Sequence, residues 1–253
     1  MSAPSARYAG AAQIVRFNWP WYALALGVNA AAAAGVASGC FSSRLLEVVS
    51  VGLIAADYWL VASLAASHYV YDLSPVARGA WLEEAPTAGV TRVGVFHAGH
   101  DEASQAIAAR LPKAELAVYD FFDARGHTEA SLLRARREGA RDLRAVAIGH
   151  GPVPRPDATL DLACVVFAAH EIREDVARAN FFREIRRVLA PGGRLLIVEH
   201  LRNVANFAAY GPGFFHFLPR STWLRAFNDA GLKMTKEASC TVFVRVFVLE
   251  RPR

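Results

Sequence analysis

Arg187-Val-Leu-Ala-Pro-Gly-Gly-Arg-Leu-Leu-Ile-Val-Glu-His200 decides the fold. The first three residues close a helical pattern, and Pro191-Gly192-Gly193 stops it, because proline lacks the helix donor and glycine favours the reversal that follows. Arg194–Val198 is then a short branched-apolar run, the composition of a strand. Working back, Asp175–Leu189 puts Phe182, Ile185 and Leu189 on one face and Arg183, Arg186 and Arg187 on another, as an amphipathic helix does. Before it, Leu160–Phe167 (LDLACVVF) is a nearly unbroken apolar run, the mark of a strand buried on both faces. Strand, helix, turn and strand in succession form the unit of a parallel sheet.

The same alternation extends in both directions. Upstream, Val93–Phe96 reads as a first strand, Glu102–Arg110 as a helix and Leu116–Tyr119 as a second strand. Glu129–Glu138 is the next helix, and Arg144–Ile148 the third strand. Downstream, Ser221 is placed to N-cap a helix through Asp229 that Gly231 closes. Lys233–Ser239 and Val242–Leu249 then form a closing hairpin. Residues 86–253 are therefore predicted to be a doubly wound, mainly parallel, seven-stranded α/β domain.

In that order the chain resembles the class I S-adenosylmethionine (SAM) methyltransferases, over about residues 90–250. The Pro-Gly-Gly block is similar to their turn into the fifth strand. Asp161–Phe167 with Ala-Ala-His-Glu-Ile172 resembles their fourth-strand motif, and Phe227-Asn-Asp-Ala-Gly-Leu232 their last helix and turn. The second half is most similar to the C-methyltransferases of quinone biosynthesis. The resemblance implies a Rossmann-like sheet in the order 3-2-1-4-5 and SAM as cofactor.

The glycine turn expected after the first strand is degenerate. In Val93-Gly-Val-Phe-His-Ala-Gly-His-Asp-Glu102, Val95 stands at the acidic position, His97 and Asp101 replace the outer glycines, and Gly99 alone survives. Asp120 ends the second strand 21 residues after Gly99, a spacing at which an acidic side chain reaches a ribose hydroxyl. After the third strand, His150 takes the place of the usual Asp, between Gly149 and Gly151. The expected cofactor set is His97, Gly99, Asp101, Asp120, Gly149 and His150. The alternative is a methyltransferase fold that no longer binds its cofactor.

Seven of the eight histidines follow strand ends: His97, His100, His127, His150, His170, His200 and His216. The carboxyl ends of the strands form the ligand crevice of such sheets. His170, Glu171 and His200 are the expected catalytic residues, since a methyl acceptor must lose a proton. A metal site from His170, Glu171, Glu199, His200 and a further histidine has suitable ligand types, but no His-x-x-x-His spacing supports it, and no metal ligand is assigned. Loop anchoring by histidines is the third reading. In Leu201–Arg220, the residues Phe207, Tyr210, Phe214, Phe215 and Phe217 suit an apolar pocket, a bilayer contact or ordinary packing. The clusters Arg134/Arg136/Arg137 and Arg183/Arg186/Arg187 suit lipid headgroups or solvated helix faces.

Residues 1–85 differ in kind. Their charge balance is −1, against +6 for the rest, within a 253-residue chain that is 54% hydrophobic and 20% charged. Tyr22–Gly39 carries no charge, and Val48–Ala66 carries only Asp57; each is of membrane-spanning length. Trp19, Trp21, Tyr22, Tyr69, Tyr71 and Trp81 flank them as interfacial aromatics do, and the arginine distribution favours both ends cytoplasmic. A transmembrane hairpin is expected, with a soluble Ala-rich helical lid as the other reading. Asp57 either faces the partner helix or lies on a pathway. The composition excludes a disordered chain, and three isolated cysteines exclude a disulfide scaffold.

The whole predicts a membrane-associated SAM-dependent methyltransferase of a lipophilic small molecule, quinone-, isoprenoid- or lipid-like. It would sit at the inner membrane with its catalytic domain on the cytoplasmic side, in contact with membrane lipid. The rival is a non-catalytic methyltransferase-fold subunit or assembly factor of a membrane protein complex, with or without a His/Glu metal site. No basic-aromatic interleaving points to nucleic acid.

Overall fold

The computed structural model describes residues 8–101, 103–123, 130–138, 144–149 and 151–252. Seven strands form one sheet: β1 (Arg92–His97), β2 (Glu115–Asp120), β3 (Val146–Ala147), β4 (Leu160–Val166), β5 (Leu189–His200), β6 (Lys233–Ser239) and β7 (Val244–Glu250). Their order is β3-β2-β1-β4-β5-β7-β6. The first five run parallel, and β7 pairs antiparallel with both β5 and β6. This is the expected doubly wound sheet with its closing hairpin. His97 lies opposite Asp120 in the β1–β2 register, so these two strand ends finish level.

Alternate strand residues feed two cores. Phe96, Phe121 and Ile197 pack with Phe182, Ile185, Trp223 and Phe227 on one face. There the sheet is covered by α5 (Asp175–Val188) and α7 (Arg220–Asp229). Val93, Val95, Leu196 and Val198 face the other side, where α3 (Ser104–Arg110) contributes Ile107. Val70, Val76, Trp81 and Leu82 are buried in that same second core. The expected boundary at residue 85 therefore cuts through packed structure. The stretch after the second helix is cover for the sheet, which its mixed composition did not reveal.

Two details differ from the sequence reading. Pro191-Gly192-Gly193 does not precede the fifth strand but lies within β5, where the register to β4 shifts between Leu160 and Leu162. Gly192 N–H and Gly193 C=O bond the Arg251 backbone, so the turn stays in the sheet as a bulge. The last helix starts at Arg220 with Pro219 as its N-cap, two residues before the Ser221 cap expected.

The N-terminal helices α1 (Ala9–Ala37) and α2 (Ser43–His68) form a hairpin, both long and apolar enough to cross a membrane. The most hydrophobic window of each is wholly unburied. Asp57 accepts a hydrogen bond from Asn29 Nδ2 at 3.0 Å, so it faces the partner helix. The last turn of α2 widens into a π-turn at Tyr69–Leu73, which aims Asp72 back at the start of α1. Its carboxylate accepts the Gly10 and Ala11 N–H groups at 2.7 and 3.0 Å and pairs with His68. Orphan donors of the helix start are thereby satisfied.

The hairpin is docked on the domain rather than tethered beside it. Trp59 packs edge-on against Phe207 of α6 (Val204–Tyr210). Gly211 ends that helix with φ +52°, and a Cβ there would lie 2.5 Å from the Trp59 ring. Arg134 of α4 (Ala130–Glu138) donates from Nε to the Phe17 carbonyl of α1.

Candidate functional site

At the end of β1 the backbone turns through Gly99, whose φ of +96° is the left-handed conformation glycine tolerates. Its N–H donates to His97 Nδ1 at 3.0 Å, so His97 shapes the turn from beneath, buried. Asp101 Oδ1 accepts the Ala103 and Ser104 N–H groups, both at 2.9 Å, and so fastens the start of α3. Asp120 Oδ1 accepts the Phe122 N–H at 3.0 Å, while Oδ2 accepts from Arg136 Nη1 at 2.6 Å. The Arg136 guanidinium lies 4.0 Å over the Phe122 ring. A Cβ on Gly99 would stand 2.5 Å from Arg136 Nη1. Arg136 thus covers both Gly99 and Asp120. Gly149 follows β3 with φ +54°, and a Cβ there would meet only the Phe122 carbonyl oxygen, at 4.0 Å. His150 lies outside the described residues, as does His127.

A cavity of about 1480 Å³ runs along the carboxyl ends of the strands, beneath the hairpin. Ala98, His100 and Asp101 line one end; His170, Glu171, His200 and His216 line the other. Phe17, Trp21, Trp59 and Leu60 of the hairpin contribute to its walls, with Tyr210, Phe215 and Phe217 from the aromatic segment. His97, Gly99 and Asp120 are not among these walls, because Arg136 covers the latter two and His97 is beneath the turn. His100 meets α1 through Gln13, 2.8 Å from its Nε2. Burial pushes the His100 pKa down.

His170 and Glu171 sit in the 3-10 turn Ala169–Glu171 that follows β4. Glu199, at the end of β5 and fully buried, holds His170 twice: Oε1 accepts its N–H at 3.3 Å, and Oε2 lies 2.7 Å from Nδ1. The other nitrogen, Nε2, is 3.4 Å from Glu171 Oε1, and the same oxygen is 3.7 Å from His216 Nε2. Burial alone would lower the His170 pKa, but the Glu199 and Glu171 carboxylates outweigh it and raise it to about 10. Glu171 is correspondingly pulled down to about 2, because His170, His216 and Arg173 outweigh its burial. The sequence groups His170 with Glu171 and Glu199 and sets His216 only in a loop. The loop closes back on β4, which spacing does not reveal.

His200 is stacked between Phe167 and Phe217, with centroids 5.1 and 4.8 Å away. Its Nδ1 lies 3.1 Å from the Phe243 carbonyl and must carry the proton. Nε2 is then an acceptor, and the Tyr71 hydroxyl donates to it at 3.3 Å. Burial, with the nearby His170 charge, drives the His200 pKa down to about 3, so the ring is neutral. The sequence marks Tyr71 only as an interfacial aromatic; the π-turn brings it to the site.

Residues 122–197 match the methyltransferase domain family (Methyltransf_11). The chain is similar to the ubiquinone/menaquinone biosynthesis C-methyltransferase UbiE of Escherichia fergusonii, 32% identical over 108 residues, which are 40% of this chain and 41% of that protein. The UbiE of Citrobacter koseri matches to the same extent. The chain thus spans about two-fifths of the length of the curated relatives it matches. Among solved structures it is similar to geranyl diphosphate methyltransferase in complex with GPP and sinefungin, with a TM-score of 0.50 and 15% identity over 74% of this chain and 80% of that one. Human N-acetylserotonin methyltransferase in complex with SAM gives a TM-score of 0.50 and 12% identity, over 71% and 55% of the two chains.

The α/β unit shares the fold of these methyltransferases. Within that unit, the turn at Gly99 and the end of β2 lie toward one end of the cavity, and the wall bearing His170, Glu171 and His200 lies at the other.

Proposed function

We propose that this chain is a membrane-held, SAM-dependent methyltransferase acting on a lipophilic small molecule of quinone-, isoprenoid- or lipid-like character. The observation that carries the reading is a cavity that runs from Ala98, His100 and Asp101, beside the glycine turn, to the histidine–carboxylate wall under an apolar helical roof. The relatives' names support a quinone-like acceptor. The unburied apolar windows of α1 and α2 support a hairpin inserted in the inner membrane, with the domain on the cytoplasmic side.

The residues present fit SAM once the Arg136 side chain turns outward, which a long, partly exposed arginine can do. Asp120 would then accept the ribose hydroxyls, with the backbone at Gly99 and Gly149 giving close approach. Bound there, SAM supplies an electrophilic methyl carbon. The protein's work is positioning and proton handling. His170, held as a cation by Glu199, stabilises an ionised acceptor oxygen. His200, its Nδ1–H committed to Phe243 and its Nε2 accepting from Tyr71, holds the Tyr71 hydroxyl in place on the cavity wall. The aromatic walls exclude water.

The Arg136–Asp120 pair favours a second reading, a methyltransferase fold that serves a membrane complex without binding SAM. Calorimetric titration with SAM and its demethylated product separates the two. Saturable binding that Asp120→Ala removes supports the enzyme. No affinity even at millimolar SAM leaves the scaffold reading. Retention in membranes after a carbonate wash checks the hairpin, and full release rejects it.

A further inference from the structure

We propose that His170, Glu171 and His216 bind a divalent transition-metal ion of the zinc class, open on its remaining side to the cavity. One ligand atom from each of the three residues lies within 4.8 Å of the other two. The two nearest pairs are separated by 3.4 and 3.7 Å. Ligand atoms bound at roughly 2.0–2.1 Å around a tetrahedral ion lie about 3.4 Å apart, so the two nearer pairs need a shift of a few tenths of an ångström, and the third pair closes by up to about 1.4 Å as the His216 loop moves in. Two imidazoles and a carboxylate suit zinc and its first-row neighbours and disfavour magnesium or calcium, which take oxygen.

A second observation points the same way. His170 offers Nε2 to the site because its Nδ1 is held at 2.7 Å by Glu199, a carboxylate with no solvent exposure. A carboxylate on the far nitrogen of a ligating histidine fixes its orientation and strengthens it as a donor. Arg173 donates from Nη2 to His216 Nδ1. Coordination through His216 Nε2 requires a proton on Nδ1, so Arg173 must withdraw when the ion binds.

Three protein ligands with a free position on a cavity form an open site, the arrangement of catalytic rather than structural zinc. The free position gives an ionised acceptor oxygen a place to bind. That consequence rests on the methyltransferase reading; the ion site itself does not.

The full chain in detergent, stripped with chelator and dialysed, is titrated with Zn²⁺ by calorimetry and with Co²⁺ by visible absorption. One equivalent of Zn²⁺ binds, and Co²⁺ develops the d–d bands of a low-coordinate site. His216→Ala and Glu171→Gln each weaken Zn²⁺ binding at least tenfold, and Glu199→Gln weakens it about 10–100-fold. His68→Ala, distant from the cluster, does not change it. His216 is partly exposed, so its variant folds even where a His170 variant does not. Circular dichroism and a SAM titration on the same samples separate loss of the ion site from loss of the fold or of cofactor binding. Folded wild type without a one-equivalent Zn²⁺ isotherm, or an isotherm unchanged in His216→Ala, overturns the site.

Discussion

Arg136→Ala should tighten SAM binding, which is the unusual direction for removing a charge from a cofactor cleft. In the wild type, the guanidinium spends a 2.6 Å charged hydrogen bond on Asp120, with the two side chains only 21% and 13% exposed. Hydrogen bonds to charged groups contribute about 1.5–3 kcal/mol, and the stacking on Phe122 about 0.5–1 kcal/mol more. SAM has to displace these contacts before Asp120 can accept ribose hydroxyls, and it recovers part of the loss through Asp120. A net gain of about 1–2 kcal/mol in the variant corresponds to roughly 5–30-fold tighter binding. The measurement is a calorimetric titration of both proteins at one salt concentration, with thermal melts to show that Arg136→Ala costs little stability. Asp120→Ala must lose binding, and Arg136→Ala/Asp120→Ala must not regain it. Weaker SAM binding in Arg136→Ala refutes the reasoning, because the arginine would then be a cofactor ligand and not an occupant of its cleft.

Gly211→Ala should destabilise the chain by about 1–3 kcal/mol, since the new Cβ meets the Trp59 ring at 2.5 Å and φ is positive; unchanged melting would mean that α2 is not docked there. Asn29→Leu should cost about 1 kcal/mol by leaving the Asp57 carboxylate without that donor, and Asn29→Leu/Asp57→Leu should restore it, as read by unfolding in detergent. A chain starting at Tyr69 should be soluble, whereas one starting at Glu84 should aggregate, because Val70, Val76, Trp81 and Leu82 are core; equal solubility would place the domain boundary after all near residue 85. His200 is neutral in the folded protein, with its pKa lowered from 6.5 to about 3. The unfolded chain therefore takes up the extra proton, and stability present above pH 6.5 is lost as pH falls toward 3. Between pH 6.5 and 4.5 the loss is roughly 2–3 kcal/mol, and His200→Phe should remove that acid slope from the melting temperature.

The sheet was legible because its signals are local. Unbroken apolar runs such as Leu160–Phe167, arginine-backed helix faces and glycine stops recur in chain order, and chain order with right-handed crossovers leaves few topologies. The crevice at the strand ends followed from the same order, so the sequence already placed His170 and His200 near one edge. Two runs of spanning length likewise announced α1 and α2. What no local pattern contains is the meeting of distant segments. Tyr71 reaches His200 only because α2 ends in a π-turn, and His216 reaches Glu171 only because the loop after β5 folds back. Arg136 read as a surface charge, yet α4 lays it on Gly99 and Asp120. Residues 69–85 read as part of the helical segment, yet they cover one face of the sheet. Periodicity reports which face of its own element a residue occupies; the neighbour it meets is set by packing between elements, and that was decided by the tertiary structure alone.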